Sequence, residues 1–334
     1  MSGLFMFGAE CRSIDTIFDT VGTAPTTSTA RKRSDGASIS LPAVDSAIRY
    51  DLGGNKTEIY VRFGLYITAA GGAAYVPIFY ESLASSGAAQ ISLGVDGGRL
   101  ILCRQGANGT KIAGSLVGIF RNVWNCIEIY HKVDDAAGVF TVKLNDAQVL
   151  HFTGDTQAQA AAEIRYLVIG RDWSWSSYGV AGYVDDIYVD DGGWPGHNGI
   201  YEIHPSAVGD KTEWDRYPAT GEDSYEDVDE RPPDDDTSYV QTAVLNEIDT
   251  YGATNLPHVG TIQALQWECR AKYTDEACDL APDLFINAAH HVGANKTLTA
   301  AYKYYFQLYE DNPDDAAAWE KADVDGMEIG VKAT

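Results

Sequence analysis

Residues 124–152 contain Trp124-Asn125-Cys126-Ile127-Glu128-Ile129-Tyr130-His131-Lys132-Val133, then Gly138-Val139-Phe140-Thr141-Val142-Lys143-Leu144, an Asn145-Asp146 turn, and Gln148-Val149-Leu150-His151-Phe152. Apolar and polar side chains alternate along each run, and a strand sends successive side chains to opposite faces. The runs therefore predict half-buried antiparallel strands joined by tight polar turns. Upstream, Glu58 to Ile67 repeats the pattern, and Gln90 to Val95 faces Arg99 to Cys103 across Asp96-Gly97-Gly98, a hairpin turn. Downstream, Tyr166 to Gly170 and Gly182 to Val189 complete a set of strands with almost no helical period. Two stacked sheets are the natural way to bury one face of each strand.

The pattern breaks at residues 210–236, where twelve Asp or Glu stand against Lys211, Arg216 and Arg231, with Pro218, Pro232 and Pro233. Such a stretch cannot bury a core, and like-charge repulsion predicts an extended linker or a strap laid along a surface. A cation site or a docking strip for a basic partner are the alternatives; the run lacks the residue order of an EF-hand loop. Strand grammar resumes at Ser238 to Val244, Gly260 to Ala271, Asp283 to Ile286 and Ala301 to Tyr309. A helical turn at Ala316 to Trp319 and a closing strand at Val324 to Val331 follow. The expected organisation is all-β: an N-terminal β-sandwich over 1–209, an acidic linker over 210–236, and a smaller β-sandwich over 237–334 serving assembly or attachment. No fixed-period repeat supports a solenoid or propeller.

The 334 residues carry 48 acidic and 24 basic side chains, a formal net charge of -24. Phosphate backbones and anionic lipid surfaces repel such a molecule, so neither nucleic acid nor membrane insertion is expected. The first ten residues lack a cationic leader and a long apolar run, which argues against export by the general route. The uncharged run Phe63 to Tyr80 is broken by Gly64, Gly71, Gly72 and Pro77 and reads as two strands around a turn. Cys11, Cys103, Cys126, Cys269 and Cys278 form an odd set without metal-ligand spacing, predicting small buried hydrophobes in a reduced compartment. A Cys103–Cys126 disulfide between neighbouring strands is the alternative.

Trp124 to Asp191, ending in Gly182-Tyr183-Val184-Asp185-Asp186-Ile187-Tyr188-Val189-Asp190-Asp191, resembles the concanavalin A-like, or laminin G-like, sandwich family over about residues 1 to 195. Tyr304-Tyr305-Phe306-Gln307, Asn312-Pro313, Ala318-Trp319 and Glu328-Ile329-Gly330-Val331 resemble the C-terminal part of tailed-phage virion proteins that follow such a domain. The resemblance implies a bacteriophage virion structural protein on the particle exterior, associated with tail, neck or capsid and assembled in the host cytoplasm. Its partners would be other virion proteins and copies of itself as a homo-oligomer, with adhesion to host surface glycan as an added role.

Lectin-like folds that hydrolyse glucans carry Glu-x-Asp-x-x-Glu, two carboxylates about 5 Å apart serving as nucleophile and acid/base. Here the nearest match, Glu247-Ile248-Asp249-Thr250-Tyr251-Gly252, has Gly252 in place of the second Glu, and reads as a turn after a strand. Serine nucleophile elbows and phosphate loops are absent, so the sequence predicts a protein that is not an enzyme. The leading expectation is thus a non-enzymatic virion protein. A carbohydrate-binding adhesin or receptor-binding protein is the alternative, and a glycan hydrolase ranks third. Trp173, Trp175 and Tyr178 form the candidate ligand or interface tract, because rigid amphipathic rings serve sugar stacking, subunit contacts and core packing alike. Asp185, Asp186, Asp190 and Asp191 are candidate Ca²⁺ ligands near a strand and its exit, and no other cofactor is expected. The competing reading has one Asp accepting backbone N–H bonds at a sheet edge while the others face water. His290-His291 is expected in a loop, and Arg31-Lys32-Arg33 as a solvated loop or a dock for the acidic segment of another copy.

Overall fold

The computed structural model describes residues 3–8, 14, 17–34, 36–71, 75–82, 89–106, 109–170, 179–219, 223–258 and 260–334. The chain divides into two compact units, Met1–Ile200 and Tyr201–Thr334. Both are β-sheet structures, as the alternation predicts.

The first unit contains β1 Gly3–Phe7, β2 Asp19–Val21, β3 Thr26–Ser28, β4 Ser38–Leu41, β5 Ala47–Lys56, β6 Glu58–Gly71, β7 Tyr75–Ser82, β8 Ala89–Asp96, β9 Arg99–Arg104, β10 Thr110–Gly118, β11 Trp124–Lys132, β12 Gly138–Leu144, β13 Ala147–Gly154, β14 Ile164–Ile169 and β15 Gly179–Asp190. Eight strands form one antiparallel sheet in the order β13-β12-β11-β6-β15-β4-β3, with β1 added on β15. Seven form the other, in the order β10-β9-β8-β7-β14-β5-β2. Alternation decides what fills the space between them. Ile59, Val61, Phe63 and Leu65 of β6, Ile127 and Ile129 of β11, and Phe140 and Val142 of β12 are completely buried, and Phe63 stacks on Phe79 of the second sheet at 5.8 Å. A polar pair enters this layer: Glu81 of β7 and His131 of β11, both 0% exposed, hydrogen-bond to each other.

The second unit contains β16 Pro205–Thr212, β17 Asp215–Tyr217, a 3-10 turn at Ser224–Asp227, β18 Tyr239–Gln241, β19 Ile248–Ala253, β20 Leu265–Ala271, β21 Asp279–Ile286, β22 Ala289–Val292, β23 Lys296–Thr297, β24 Lys303–Tyr309, α1 Lys321–Gly326 and β25 Glu328–Ala333. A six-stranded sheet runs β16-β19-β25-β21-β22, with β23 on β21, beside the pairs β17-β18 and β20-β24. Its core joins Trp267, Leu280, Leu284, Ile286, Tyr305, Trp319, Val324, Met327 and Val331.

Several boundaries differ from the sequence reading. The acidic stretch holds β17, part of β16 and the 3-10 turn, and belongs to the second unit. Cations offset its repulsion: Arg216 pairs with Asp227 at 2.6 Å, Arg270 with Asp235 at 2.5 Å and Lys272 with Asp236 at 2.6 Å. The strap alternative describes it better than a linker. The strand expected over 238–244 shrinks to β18. The helical turn falls later than expected, in α1, where Glu320 and Asp323 form a reciprocal capping box. His290 and His291 lie in β22 rather than a loop, and Glu247–Gly252 leads into and along β19 rather than a turn.

Candidate functional site

The outer face of the eight-stranded sheet carries the most developed constellation of side chains. Residues directly opposite on neighbouring strands share a face. The register therefore lays out rows across β13, β12, β11, β6 and β15: His151, Thr141, Tyr130, Tyr60 and Asp190 in one, and Gln148, Lys143, Glu128, Arg62 and Tyr188 in the next. A short row of Cys126, Gly64 and Asp185 follows, then Trp124, Tyr66 and Tyr183. The same alternation that buries Ile59 and Ile129 inside turns Tyr60 and Tyr130 outward.

The first row is an aromatic bed. The rings of Tyr60 and Tyr130 stack with centroids 4.6 Å apart at 22°. Trp194, in the glycine-rich segment after β15, meets Tyr60 edge-on at 5.5 Å and lies 6.2 Å from Tyr130. Lys143 places its Nζ 3.8 Å from the Trp194 ring centroid, a cation–π contact. The three aromatic residues are half-buried, so each is fixed by packing while part of it meets solvent. Thr141 Oγ1 and His151 Nδ1 lie 2.9 Å apart at one end of the row. Burial, with Glu58 close to its hydroxyl, raises the Tyr130 phenol above its ordinary value, so it remains an O–H donor.

The middle rows are ionic and covered. Residues 192–200 cross this face: Gly196 N–H donates to Glu128 Oε1 at 2.9 Å and Ile200 N–H to Asp186 Oδ1 at 2.8 Å. Arg62 donates to the carbonyls of Asp186 and Gly196, each at 3.3 Å, and Arg33 donates to that of Asn198 at 3.0 Å and pairs with Asp186. Gly64 makes room for Arg33, since a Cβ there would stand 2.6 Å from Arg33 Cδ.

The four candidate calcium ligands all have protein partners. Asp185 accepts the Arg33 N–H at 2.8 Å and the Asp186 N–H at 2.9 Å; burial, reinforced by the adjacent Asp186, pushes its carboxyl up to about 8. Asp190 accepts the Gly192 and Gly193 N–H groups at 2.5 and 3.0 Å, and Asp191 pairs with Lys56 at 2.8 Å. Asp185, Asp186 and Asp190 are buried. Among the described residues no group of three or more His, Cys, Asp or Glu is arranged to hold a metal ion. Of the basic triplet, Arg33 is spent on Asp186 and Arg31 lies over Tyr66 at 5.1 Å, while the Lys32 carbonyl accepts the Trp124 indole N–H. Trp173, Trp175 and Tyr178 lie outside the described residues. Cys103 and Cys126 are buried thiols, Cys269 is half-buried and Cys278 exposed, and burial raises Cys126 to about 11. In the second unit His290 Nδ1 lies 2.6 Å from Asp283, and the two histidines point to different carboxylates, since His291 Nε2 faces Asp314 at 3.3 Å. Among the described residues, no helix is long and apolar enough to cross a membrane.

Sequence reasoning missed Tyr60, Tyr130 and Trp194. The strand parity of the first two was available, but their pairing needed the β6–β11 register, and Trp194 reads as part of a loop, Gly192-Gly193-Trp194-Pro195-Gly196.

No family model matches the sequence, and no curated protein matches it. Solved structures similar to the chain include domain 4 of a GH43 extracellular arabinanase from Geobacillus stearothermophilus in complex with arabinotriose, at 12% identity over 57% of this chain and 93% of that one, TM-score 0.42. An endo-β-1,4-glucuronan lyase from the fungus Trichoderma reesei matches at 10% identity over 56% and 95%, TM-score 0.44. A carbohydrate esterase from the Shiga toxin-encoding bacteriophage phi24B matches at 16% identity over 56% and 97%, TM-score 0.39. At these identities and scores they bear on nothing beyond the general β-sandwich architecture. They do correct the expectation that the protein is not an enzyme: a glucuronan lyase and a carbohydrate esterase are among the structures it is similar to, so that exclusion is withdrawn.

Proposed function

We propose that the first unit binds carbohydrate on the outer face of its eight-stranded sheet, in the manner of a concanavalin A-like or laminin G-like adhesin. The observation that carries this reading is the bed of Tyr60, Tyr130 and Trp194, half-buried and held against one another, with the Thr141 and His151 pair alongside. Aromatic faces bear negative charge and attract the C–H groups of a pyranose ring, while neighbouring hydroxyl and imidazole groups fix its hydroxyls. The virion setting rests on the sequence resemblance. There the protein would stand on the exterior of a tailed-phage particle, contacting other virion proteins and copies of itself. The exposed apolar cluster of Leu116, 88% exposed, with Val117, Phe120 and Val123 supports such a contact.

A glycan array run with the wild type, Trp194→Ala, Tyr130→Ala and Trp175→Ala tests the assignment. Loss of a defined sugar signal in the first two variants and its retention in the third supports the sheet face. Loss only in Trp175→Ala, or no signal from the wild type, overturns it. Labelling intact particles for electron microscopy tests the virion setting, and absence of label from every particle removes it.

A further inference from the structure

We infer that the sugar recognised on this face is acidic, a glycan bearing carboxylates, with Lys132 and Lys143 as the groups that receive them; this rests on the carbohydrate-binding reading above. Four lysines of this acidic chain are paired with carboxylates: Lys56 with Asp191 at 2.8 Å, Lys111 with Asp96 at 2.5 Å, Lys272 with Asp236 at 2.6 Å and Lys321 with Asp325 at 2.7 Å. Lys132 and Lys143 form no ion pair among the described residues, although each stands opposite a glutamate in the ladder, Glu58 and Glu128. Both glutamates have other calls on them. Glu58 faces the Tyr130 hydroxyl, and Glu128 accepts the Gly196 N–H under the crossing segment. The neighbouring carboxylates are likewise engaged, Asp190 by two backbone N–H groups and Asp191 by Lys56.

Two lysines without a carboxylate partner thus flank the aromatic row, Lys143 also resting its ammonium over the Trp194 ring. Lys132 lies two residues beyond Tyr130 on β11, and Lys143 two residues beyond Thr141 on β12 in the opposite direction. At about 3.3 Å per residue they are roughly 13 Å apart along the strands, with the Tyr130 row between them. That span suits an oligosaccharide with a charged group at either end of its stacked portion. The net charge of -24 opposes an anionic ligand at long range. At physiological ionic strength, however, screening acts over about 8 Å, which removes the repulsion of carboxylates elsewhere on the chain, while Asp190, Glu58 and Glu128 on this face are held by protein N–H and O–H donors. An ammonium to carboxylate hydrogen bond is also stronger than a neutral one.

The test is an array of uronic-acid and sialic-acid oligosaccharides, each printed beside its carboxyl-reduced counterpart. It is probed with the full chain as wild type, Lys132→Gln, Lys143→Gln, the double variant, Trp194→Ala, and Lys296→Gln as a control lysine of the second unit. Thermal melts confirm that every variant folds. The expected result is at least tenfold preference for a carboxylated form, about tenfold loss for each single lysine variant, no change for Lys296→Gln, and loss of both forms in Trp194→Ala. Equal binding of carboxylated and reduced glycans, or an unchanged preference in the double variant, overturns the acidic-ligand inference and leaves the aromatic bed standing. Failure of the wild type to bind either member of any pair overturns the bed itself, and the inference with it.

Discussion

Replacing His131 with Leu tests whether the polar pair inside the first sandwich acts as one unit. Glu81 and His131 are fully buried on facing sheets, and Glu81 Oε1 and His131 Nε2 have no hydrogen-bond partner. Each side chain therefore depends on the other for its single polar contact within the layer. Cross-strand neighbours offer no substitute: Ile91 and Leu167 flank Glu81, and Ile59 and Phe140 flank His131. His131→Leu removes the hydrogen bond, about 0.5–1.5 kcal/mol, and strands a buried carboxyl, about 1–3 kcal/mol more. The expected loss is about 2–4 kcal/mol. Glu81→Leu likewise strands the imidazole, whose Nε2 already lacks a partner, and should cost about 1–3 kcal/mol. The double variant leaves no unpaired polar group at these two positions and should lie within about 2 kcal/mol of wild type, a coupling of at least about 1 kcal/mol. Native-state hydrogen exchange at the amides of β7 and β11 measures the opening free energy of this sandwich without interference from the second unit. Strictly additive single losses would show that the two groups act independently and refute the argument.

Three further outcomes follow from geometry. Asp249 is buried in the second unit, and burial raises its carboxyl to about 6 despite the Tyr251 hydroxyl donated at 2.5 Å. The folded state thus holds a proton that the unfolded chain releases near pH 4, so this group's stabilisation is full below about pH 4 and fades as pH rises towards 6; Asp249→Asn should flatten that slope in urea titrations followed across pH. A Cβ added at Gly182 would stand 1.9 Å from the Tyr66 carbonyl oxygen in the β15–β6 ladder, so Gly182→Ala should destabilise the first unit by about 3 kcal/mol or more, read by thermal melting. Arg33→Ala leaves Asp186 without its cation and releases the Asn198 carbonyl; limited proteolysis should then cut within 192–200 at protease levels that spare the wild type.

The sheet architecture was legible because alternation in runs such as Ile127 to Val133 and Val139 to Leu144 leaves a single way to bury one face. The smaller unit was harder to read at its edges. There short strands such as β18 and β23 are set by partners rather than by their own sequence, and the capping box that starts α1 spans only Glu320 and Asp323. The acidic stretch misled because repulsion within a segment is visible in the sequence, whereas Arg270 and Lys272, which relieve it, come from elsewhere in the chain. The aspartates at 185–191 stood out in the sequence as candidate Ca²⁺ ligands, whereas in the fold each has a protein partner. Their partners Arg33, Ser34 and Lys56 lie more than a hundred residues upstream, and the sequence offered no means of pairing them.

The segment that crosses the sheet face is also the covalent exit from the first unit, since the chain leaves it at Ile200. Any tension carried along the backbone from the second unit reaches the bond from Ile200 N–H to Asp186 first, then Asn198 on Arg33, then Gly196 between Glu128 and Arg62. These anchors would release one after another, in peeling order, before load arrives at the long ladder of β15 against β6. A sandwich tethered in this way has a sacrificial fastening in series with its fold. Modest pulls would lengthen the connector and uncover the ionic rows while the sheets stay intact.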